Sequence, residues 1–257
     1  MTYTTIESQK ICYNLYQNPT AKRLYIFLHG WGGSQKSFTP LAQAIAQTHS
    51  TLIFDWPGFG QSDAPKTDWD THQYAHFFKQ FIDSFDFQDF EEIVLYGHSF
   101  GCRVMVRYLN EQKFSSKIKH LVFTGAAGIV FPLPWYKKVI KTGTAYVKPL
   151  KKLIPVSVQS FIRRKIFRAH DWDATQGTMK QTFLNVIAEP DFRFELETIK
   201  IPSTIIWGKN DTYTPLKAAF VYQKHLPTVK QLRVFENGRH GIHHTHAKEI
   251  KEIITNL

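Results

Sequence analysis

The fold of this chain follows from the stretch IVLYGHSFG at residues 93–101. It joins an apolar run to a G-x-S-x-G turn, and an apolar-periodic stretch follows at residues 104–109. A strand, a tight turn and a helix in this order place a serine hydroxyl above the end of a sheet, and only residues without a Cβ fit beside so sharp a turn. The helix also directs its unpaired N–H groups at the hydroxyl. We therefore predict that Ser99 is a nucleophile.

Length and composition indicate one large α/β domain with an insertion, because 257 residues with an apolar fraction of 43% can bury a sizeable core. The two cysteines, Cys12 and Cys102, match no metal or redox spacing. The first residues lack a basic-then-apolar signal segment, and no run approaches the ~18 apolar residues of a membrane span. We expect a soluble, cytoplasmic protein.

Short apolar or β-branched runs alternate with amphipathic stretches along most of the chain, which is typical of a mainly parallel sheet with helices on both faces. The predicted strands cover residues 24–28, 51–54, 92–96, 120–124, 203–207 and 231–235. One or two antiparallel edge strands are expected within residues 4–17. The predicted helices cover residues 37–47, 71–85, 100–110, 215–226 and 247–255.

The alternation breaks between residues 129 and 190, where prolines divide short basic segments that carry aromatic residues. We predict that residues 129–190 form a helical cap inserted after the sixth strand. Residues 1–128 and 191–257 would then form the core. In an open α/β sheet, ligands bind at the carboxyl edge of the strands, which is the edge that such an insertion follows.

The net charge of +11 is concentrated in the predicted cap. Residues 132–169 carry ten lysines and arginines, and residues 112–170 contain no acidic side chain. Two interpretations stay open: a solvated cationic face, or a surface that attracts an anionic substrate (an acyl-CoA or a phospholipid) or an anionic membrane. We expect no nucleic-acid binding, because no recognition motif accompanies the charge.

A serine nucleophile needs a base, and the base needs a group that orients it. His240 follows the last apolar run, in a glycine-containing loop that can turn back over the sheet, and is the predicted base. His243, His244 and His246 are nearby competitors. The spacing of these four histidines matches no closed metal site, so we predict no metal.

The orienting acid should follow a strand that lies between the serine and the histidine in sequence. No carboxylate follows the strand at residues 120–124 until Asp171, whereas the next strand leads directly into Asp211. Asp211 is therefore the predicted partner of His240. The alternative is a turn aspartate that caps the helix near Pro215.

The negative charge that develops on a substrate carbonyl oxygen needs backbone donors. One predicted donor is the N–H of Phe100, directly after the nucleophile. The other is the N–H of Trp31, in the glycine-rich turn HGWGG at residues 29–33. A phosphate-binding loop is the alternative for this turn, but the lysine and hydroxyl residue of a P-loop are missing.

These motifs, together with the loop DWPGFGQSD at residues 55–63, make the chain resemble the α/β-hydrolase superfamily, in its branch with a helical cap. The resemblance extends from about residue 25 to the end. It implies a doubly wound, mostly parallel eight-stranded sheet and a Ser-Asp-His triad that works without a cofactor. The chain departs from the pattern at Cys102, where glycine is frequent, and at Arg239, where a small residue is usual.

One fold hosts many reactions, so the resemblance does not select a substrate. We expect hydrolysis of a small carboxylic ester or thioester through an acyl-enzyme. The alternatives are a carbon–carbon bond hydrolase of the meta-cleavage type, which needs a cation for the substrate carboxylate, and a non-catalytic ligand receptor. The candidate pocket residues are His29, His98, Trp135, Arg163, Arg164 and Arg168.

Overall fold

The computed structural model describes residues 1–132 and 177–257. The chain divides into two compact units, one made of Met1–Ile129 with Gln176–Leu257 and the other of Val130–Thr175. The sheet and all helices described below belong to the first unit. The predicted cap at residues 129–190 falls largely outside the described residues, so its boundaries stay a prediction.

An eight-stranded sheet forms the centre of the first unit, with the strand order β1-β2-β4-β3-β5-β6-β7-β8. β1 pairs antiparallel with β2 and β2 with β4, while all other neighbours are parallel. The strands are β1 (Thr2–Ile6), β2 (Gln9–Tyr16), β3 (Arg23–Leu28), β4 (Ser50–Phe54), β5 (Glu92–His98), β6 (Ile118–Thr124), β7 (Ser203–Gly208) and β8 (Val229–Phe235).

Helices connect the parallel strands and cover the sheet. They are α1 (Thr39–Ile45), α2 (Thr71–Asp83), α3 (Phe100–Glu111), α4 (Thr178–Ala188), α5 (Arg193–Thr198), α6 (Lys217–His225), α7 (Ile242–Thr245) and α8 (Ala247–Thr255). One core cluster joins strand residues Tyr25 and Phe27 to apolar residues of α1, α7 and α8. The predicted doubly wound, mostly parallel sheet of eight strands is confirmed.

The burial of the strands explains why the apolar runs predicted them well. β4 and β7 are buried along their whole length, as parallel strands covered on both faces are. The edge strand β8 alternates between partly buried and exposed positions. The predicted helix at residues 37–47 is shorter in the structure, because residues 35–37 form a 3-10 turn and Pro40 lies in the first turn of α1.

The parallel arrangement brings six loops to one edge of the sheet, since the carboxyl ends of β3, β4, β5, β6, β7 and β8 point the same way. These loops contain the residues predicted to act in chemistry. Among the helices of the described residues, none has both the length and the apolar character needed to cross a bilayer.

Candidate active site

The turn between β5 and α3 consists of Ser99 alone. This residue has φ 51° and ψ −110°, a conformation that a residue with a side chain rarely adopts and that persists only where the surroundings hold it. The flanking glycines permit it: a Cβ on Gly101 would lie 2.1 Å from the carbonyl oxygen of Leu28, and a Cβ on Gly97 would lie 2.9 Å from Cys102 Sγ. The predicted strand–turn–helix arrangement is therefore present.

Asp211 and His240 form a hydrogen-bonded pair on the loops after β7 and β8. The distance from His240 Nδ1 to Asp211 Oδ2 is 2.8 Å. The other carboxylate oxygen accepts the backbone N–H groups of Tyr213 and Thr214, each at 2.8 Å. Because Nδ1 donates to the carboxylate, the neutral ring presents Nε2 as a proton acceptor. The Asp211 side chain is fully buried, whereas 19% of the His240 side chain is exposed.

Thr214 is a polar partner of this pair that the sequence analysis did not identify. Its Oγ1 lies 2.8 Å from Asp211 Oδ2, 3.2 Å from His240 Nδ1 and 3.0 Å from the carbonyl oxygen of Gly125. The only sequence signal was an aspartate followed three residues later by a threonine, which is common in ordinary turns.

Ser99 and the Asp211–His240 pair meet at the carboxyl end of β6. The N–H of Ser99 donates to the carbonyl oxygen of Thr124 at 3.0 Å. Gly125 follows with φ 48°, and a Cβ there would lie 3.1 Å from His240 Nδ1 and 3.2 Å from Asp211 Oδ2. Ser99 thus contacts Thr124, and Asp211 and His240 lie against Gly125, the next residue along the chain.

The turn at residues 29–33 packs directly against Ser99. A Cβ on Gly30 would lie 3.2 Å from Ser99 Cβ, and the rings of Trp31 and Phe100 are 5.3 Å apart. Within residues 1–132 and 177–257, no acceptor receives the backbone N–H of Trp31 or of Phe100. Two unpaired amide donors beside a serine hydroxyl are what stabilisation of an oxyanion requires.

His29 supports this turn from inside the protein. Its Nε2 accepts the N–H of Trp56 at 3.0 Å, so its Nδ1 carries the hydrogen and donates to the carbonyl oxygen of Gly30 at 2.8 Å. Burial lowers the pKa of His29 to about 4, which keeps the ring neutral and this arrangement intact. This candidate pocket residue is fully buried, and both of its ring nitrogens bind backbone groups.

The loop at residues 55–63 is organised by the buried Asp55. Its carboxylate accepts the backbone N–H groups of Gln35 at 2.6 Å and Gln61 at 2.8 Å. Gly60 has φ 57°, and a Cβ there would overlap the carboxylate at 2.2 Å. Ser62 Oγ donates to the Asp55 carbonyl oxygen at 2.8 Å. The loop is thus structural support beside the turn that carries Trp31.

The chain matches the model of the alpha/beta hydrolase family over residues 25–253. It belongs to this family. The chain is 23% identical over 222 residues to a pimeloyl-[acyl-carrier protein] methyl ester esterase of Legionella pneumophila (strain Lens), with 84% of this chain and 86% of the relative covered. It is 24% identical over 245 residues to a 2-hydroxy-6-oxononadienedioate/2-hydroxy-6-oxononatrienedioate hydrolase of Escherichia coli, with 89% and 82% covered.

The fold is shared with solved structures of other hydrolases. An esterase from Exiguobacterium antarcticum superposes with a TM-score of 0.72 at 21% identity, and the match covers 99% of this chain and 98% of that one. The resemblance predicted from the sequence motifs is therefore confirmed at the level of family and fold.

In this hydrolase, α4 packs beside the turn at residues 29–33. The ring of Phe183 lies 5.2 Å from the ring of Trp31. Met179 covers Gly58, where a Cβ would lie 2.2 Å from the methionine sulfur. The backbone of α4 is fixed in turn, since Thr182 Oγ1 accepts the N–H of Trp69 at 2.9 Å.

A buried charge cluster fixes the end of α4 to α3, and no sequence motif predicted it. The carboxylate of Glu189 accepts the N–H and hydroxyl of Thr71 at 2.7 and 2.6 Å. It also lies 3.5 Å from Arg103 Nη1 and 3.7 Å from Arg107 Nη2. The two guanidinium groups lie over the ring of Phe192 at 5.2 and 4.7 Å. We call Glu189, Thr71, Arg103 and Arg107 the charge cluster.

His98, the remaining described pocket candidate, is buried next to His240. Its ring lies 4.7 Å from the ring of His240. In the described part of the chain, no group of three or more histidine, cysteine or acidic side chains is arranged to hold a metal ion. The other predicted pocket residues lie outside the described residues: Trp135, Arg163, Arg164 and Arg168.

Proposed function

We propose that this hydrolase is a serine carboxylesterase that cleaves a carboxylic ester or thioester through an acyl-enzyme. The observation that supports this most directly is the 2.8 Å Asp211–His240 hydrogen bond. It lies against Gly125, directly after Thr124, whose carbonyl oxygen accepts the N–H of the strained Ser99. The esterase relative favours the same reaction class.

In the acylation step, Ser99 Oγ attacks the acyl carbon of the substrate while His240 Nε2 takes the hydroxyl proton. Asp211 keeps the ring in the required tautomer and stabilises its charged form. The N–H groups of Trp31 and Phe100 bind the oxyanion of the tetrahedral intermediate. The intermediate collapses when His240 returns the proton to the leaving alcohol or thiol.

In the deacylation step, His240 removes a proton from water as the water attacks the acyl carbon bound to Ser99. The Ser99 oxygen leaves and regains a proton from His240, which releases the carboxylic acid. No other reactant is needed, so one water is consumed for each ester cleaved.

The test is hydrolysis of p-nitrophenyl butyrate by the parent protein and by Ser99→Ala. We expect kcat/KM to fall by about 10⁶-fold, since serine hydrolases lose about this much with their nucleophile. The matched control is Ser115→Ala, an exposed serine outside the site, which should keep the parent rate. A fluorophosphonate probe should label the parent protein at Ser99. Hydrolysis retained by Ser99→Ala would overturn the proposal, and a parent protein without hydrolysis or labelling would favour the receptor.

A second candidate is carbon–carbon bond hydrolysis of the meta-cleavage type, which the 24% identical Escherichia coli relative favours. Its substrate carries a carboxylate, and the basic residues 132–169 offer cations in sequence. The comparison is kcat/KM for a 2-hydroxy-6-oxo-dienoate against that for p-nitrophenyl butyrate. A higher value for the dienoate would replace the esterase proposal by this one.

The basic segment is proposed to favour anionic substrates or an anionic membrane surface. Raising the ionic strength from 20 to 500 mM should then lower kcat/KM for an anionic ester more than for a neutral one, because salt screens exposed charges. If the two esters show the same salt dependence, the basic segment is only a solvated cationic face and does not attract anionic substrates. Cytoplasmic location stays a prediction.

A further inference from the structure

A row of histidine rings extends from the proposed base into the core. The ring centroids of His240 and His98 are 4.7 Å apart, those of His98 and His243 are 4.4 Å apart, and those of His243 and His244 are 4.2 Å apart. Tyr213 stacks on His240 at 4.9 Å with 23° between the planes. We call the four histidines the histidine row.

His243 is the member whose presence packing does not explain. It is 3% exposed, and both of its ring nitrogens are buried without a hydrogen-bond partner among the described residues. Its ring also packs on Phe38 at 4.6 Å, so a phenyl ring would suit these surroundings. Buried polar atoms without a partner are rare because they reduce stability. A histidine at this position therefore needs a reason other than core packing.

His98 connects the histidine row to Ser99 and to the turn at residues 29–33. Its Nδ1 lies 3.1 Å from the carbonyl oxygen of Thr124, the same oxygen that accepts the N–H of Ser99. Since a carbonyl only accepts, Nδ1 carries the hydrogen. A Cβ on Gly30 would lie 3.1 Å from the His98 ring. His98 thus lies next to Ser99, next to Gly30 in the turn at residues 29–33, and against the ring of His240.

The two inner rings are held neutral by their surroundings. Burial is the main cause that lowers the pKa of His243 to about 3, and nearby His244 and His240 lower it further. Burial, followed by the proximity of His243 and His240, holds the pKa of His98 well below 6.5. Among the four, His240 is paired with the carboxylate of Asp211 and so is the ring able to take the proton of Ser99.

We propose that His98 and His243 are positioning residues for the base, which rests on the proposed esterase function. His98 packs directly on the ring of His240 and holds it beside Ser99, while His243 packs on His98 and acts through it. Both stabilise the protonated form of His240 as neutral dipoles. His243 has no hydrogen bond that fixes its tautomer, so it can turn a nitrogen lone pair toward a positive charge that develops on the row. A phenyl ring of similar size lacks this dipole.

The experiment compares His243→Phe and His98→Phe with the parent protein, using p-nitrophenyl butyrate between pH 5 and 9. His243→Phe should lower kcat about tenfold with little change in KM, which corresponds to about 1.4 kcal/mol in the barrier. The acid limb of its kcat/KM profile should move to lower pH by roughly 0.5 unit. Its Tm should equal or exceed that of the parent, because two unpaired buried nitrogens are removed. His98→Phe should lose more activity, since it also loses the contact with Thr124.

The matched control is His246→Phe, three residues further along and outside the row, whose ring packs on Phe235 at 4.6 Å. It should keep the parent kcat and pH profile. A His243→Phe variant with parent kcat and an unchanged acid limb would overturn the proposal and leave the row as packing. If His243→Phe fails to fold, His243→Leu, which also removes the dipole, is measured in the same way and is judged by the same two outcomes.

A readout independent of turnover separates this proposal from the proposed function. The pH midpoint for protonation of the His240 ring is measured by ¹⁵N NMR in the parent and in His243→Phe. A lower midpoint in the variant supports the dipole effect even in a protein that hydrolyses no ester. An unchanged midpoint overturns it, whatever the activity of Ser99 toward esters.

Discussion

Two regions with buried polar side chains or backbone groups lie along α3. In one of them several polar atoms lack a hydrogen-bond partner, and in the other the polar atoms are paired. At the start of the helix, around Ser99, the N–H groups of Trp31 and Phe100 have no acceptor among the described residues. The two ring nitrogens of His243 likewise have no hydrogen-bond partner there. In the charge cluster, further along the helix, Glu189 meets two guanidinium groups and two donors of Thr71.

The unpaired groups near Ser99 are free to bind a substrate, whereas the paired groups of the charge cluster only join segments of the protein to one another. Removing one partner of a buried ion pair leaves an uncompensated charge, so single substitutions in the charge cluster should lower the free energy of unfolding. Unpaired donors at a helix start contribute little to stability but can bind charge that develops in a reaction. Substitutions in the first region should therefore reduce activity, and substitutions in the second should reduce stability.

After removal of the nucleophile itself, the largest effect is expected for Asp211→Asn. The amide can still accept the N–H groups of Tyr213 and Thr214, but it favours the wrong tautomer of His240. We expect kcat/KM to fall by about 10⁴-fold, close to 5.5 kcal/mol, while Tm changes by a few degrees. Steady-state kinetics and thermal unfolding measure the two quantities. A loss of less than tenfold would remove Asp211 from the proposed mechanism.

The opposite pattern is expected for Glu189→Gln in the charge cluster. Arg103 would lose its carboxylate partner, whereas Arg107 would keep Glu111 at 3.2 Å and Glu195 at 3.6 Å. The free energy of unfolding should therefore fall by roughly 3 kcal/mol, the lower end of the cost of breaking a buried pair. Activity for each folded molecule should stay within a few fold. The control is Glu236→Gln, which breaks the exposed Lys209–Glu236 pair and should change stability by about 0–1 kcal/mol. Urea unfolding measures both, and equal losses in the two variants would contradict the comparison.

Acid should destabilise the protein through the histidines around the site. Burial lowers the pKa of His29 from 6.5 to about 4. Between these two pH values the ring is therefore protonated in the unfolded chain but neutral in the folded protein. The stability that the neutral ring contributes is complete above pH 6.5 and is lost as pH falls toward 4. Between pH 7 and pH 5 the free energy of unfolding should fall by roughly 2 kcal/mol from His29 alone. A His29→Asn variant with the same pH dependence as the parent would contradict this.

The features that were predictable from sequence are those that a local segment determines. The turn at Ser99, the glycines beside it and the loop at residues 55–63 each depend on backbone contacts that require a specific small residue at a specific spacing. Asp211 and His240 could be predicted as partners because the carboxyl ends of parallel strands meet at one edge of the sheet.

The features that were not predictable join distant segments through side chains. Glu189 meets Thr71 across 118 residues of sequence, and nothing near either residue signals the pairing. The contact of His98 with His243 depends on how a strand end faces a short helix, which the sequence pattern leaves undetermined. Residue types that serve both chemistry and packing, such as histidine, therefore need the structure to tell the two roles apart.

The smallest effect is expected for Thr214→Val, a substitution that keeps the shape of the side chain and removes its hydroxyl. The backbone N–H of residue 214 would still donate to Asp211, so the carboxylate would lose its contact with Oγ1 but retain two donors and His240. The hydroxyl has one hydrogen to share between the Asp211 carboxylate and the carbonyl oxygen of Gly125, so its loss should cost about 1 kcal/mol and lower kcat/KM about fivefold. Because Oγ1 also contacts the carbonyl oxygen of Gly125, Tm should fall slightly as well. If activity is unchanged while Tm falls, Thr214 stabilises the fold, as the charge cluster does. Its hydroxyl would then play no part in positioning His240, although it lies 3.2 Å from Nδ1 of that ring.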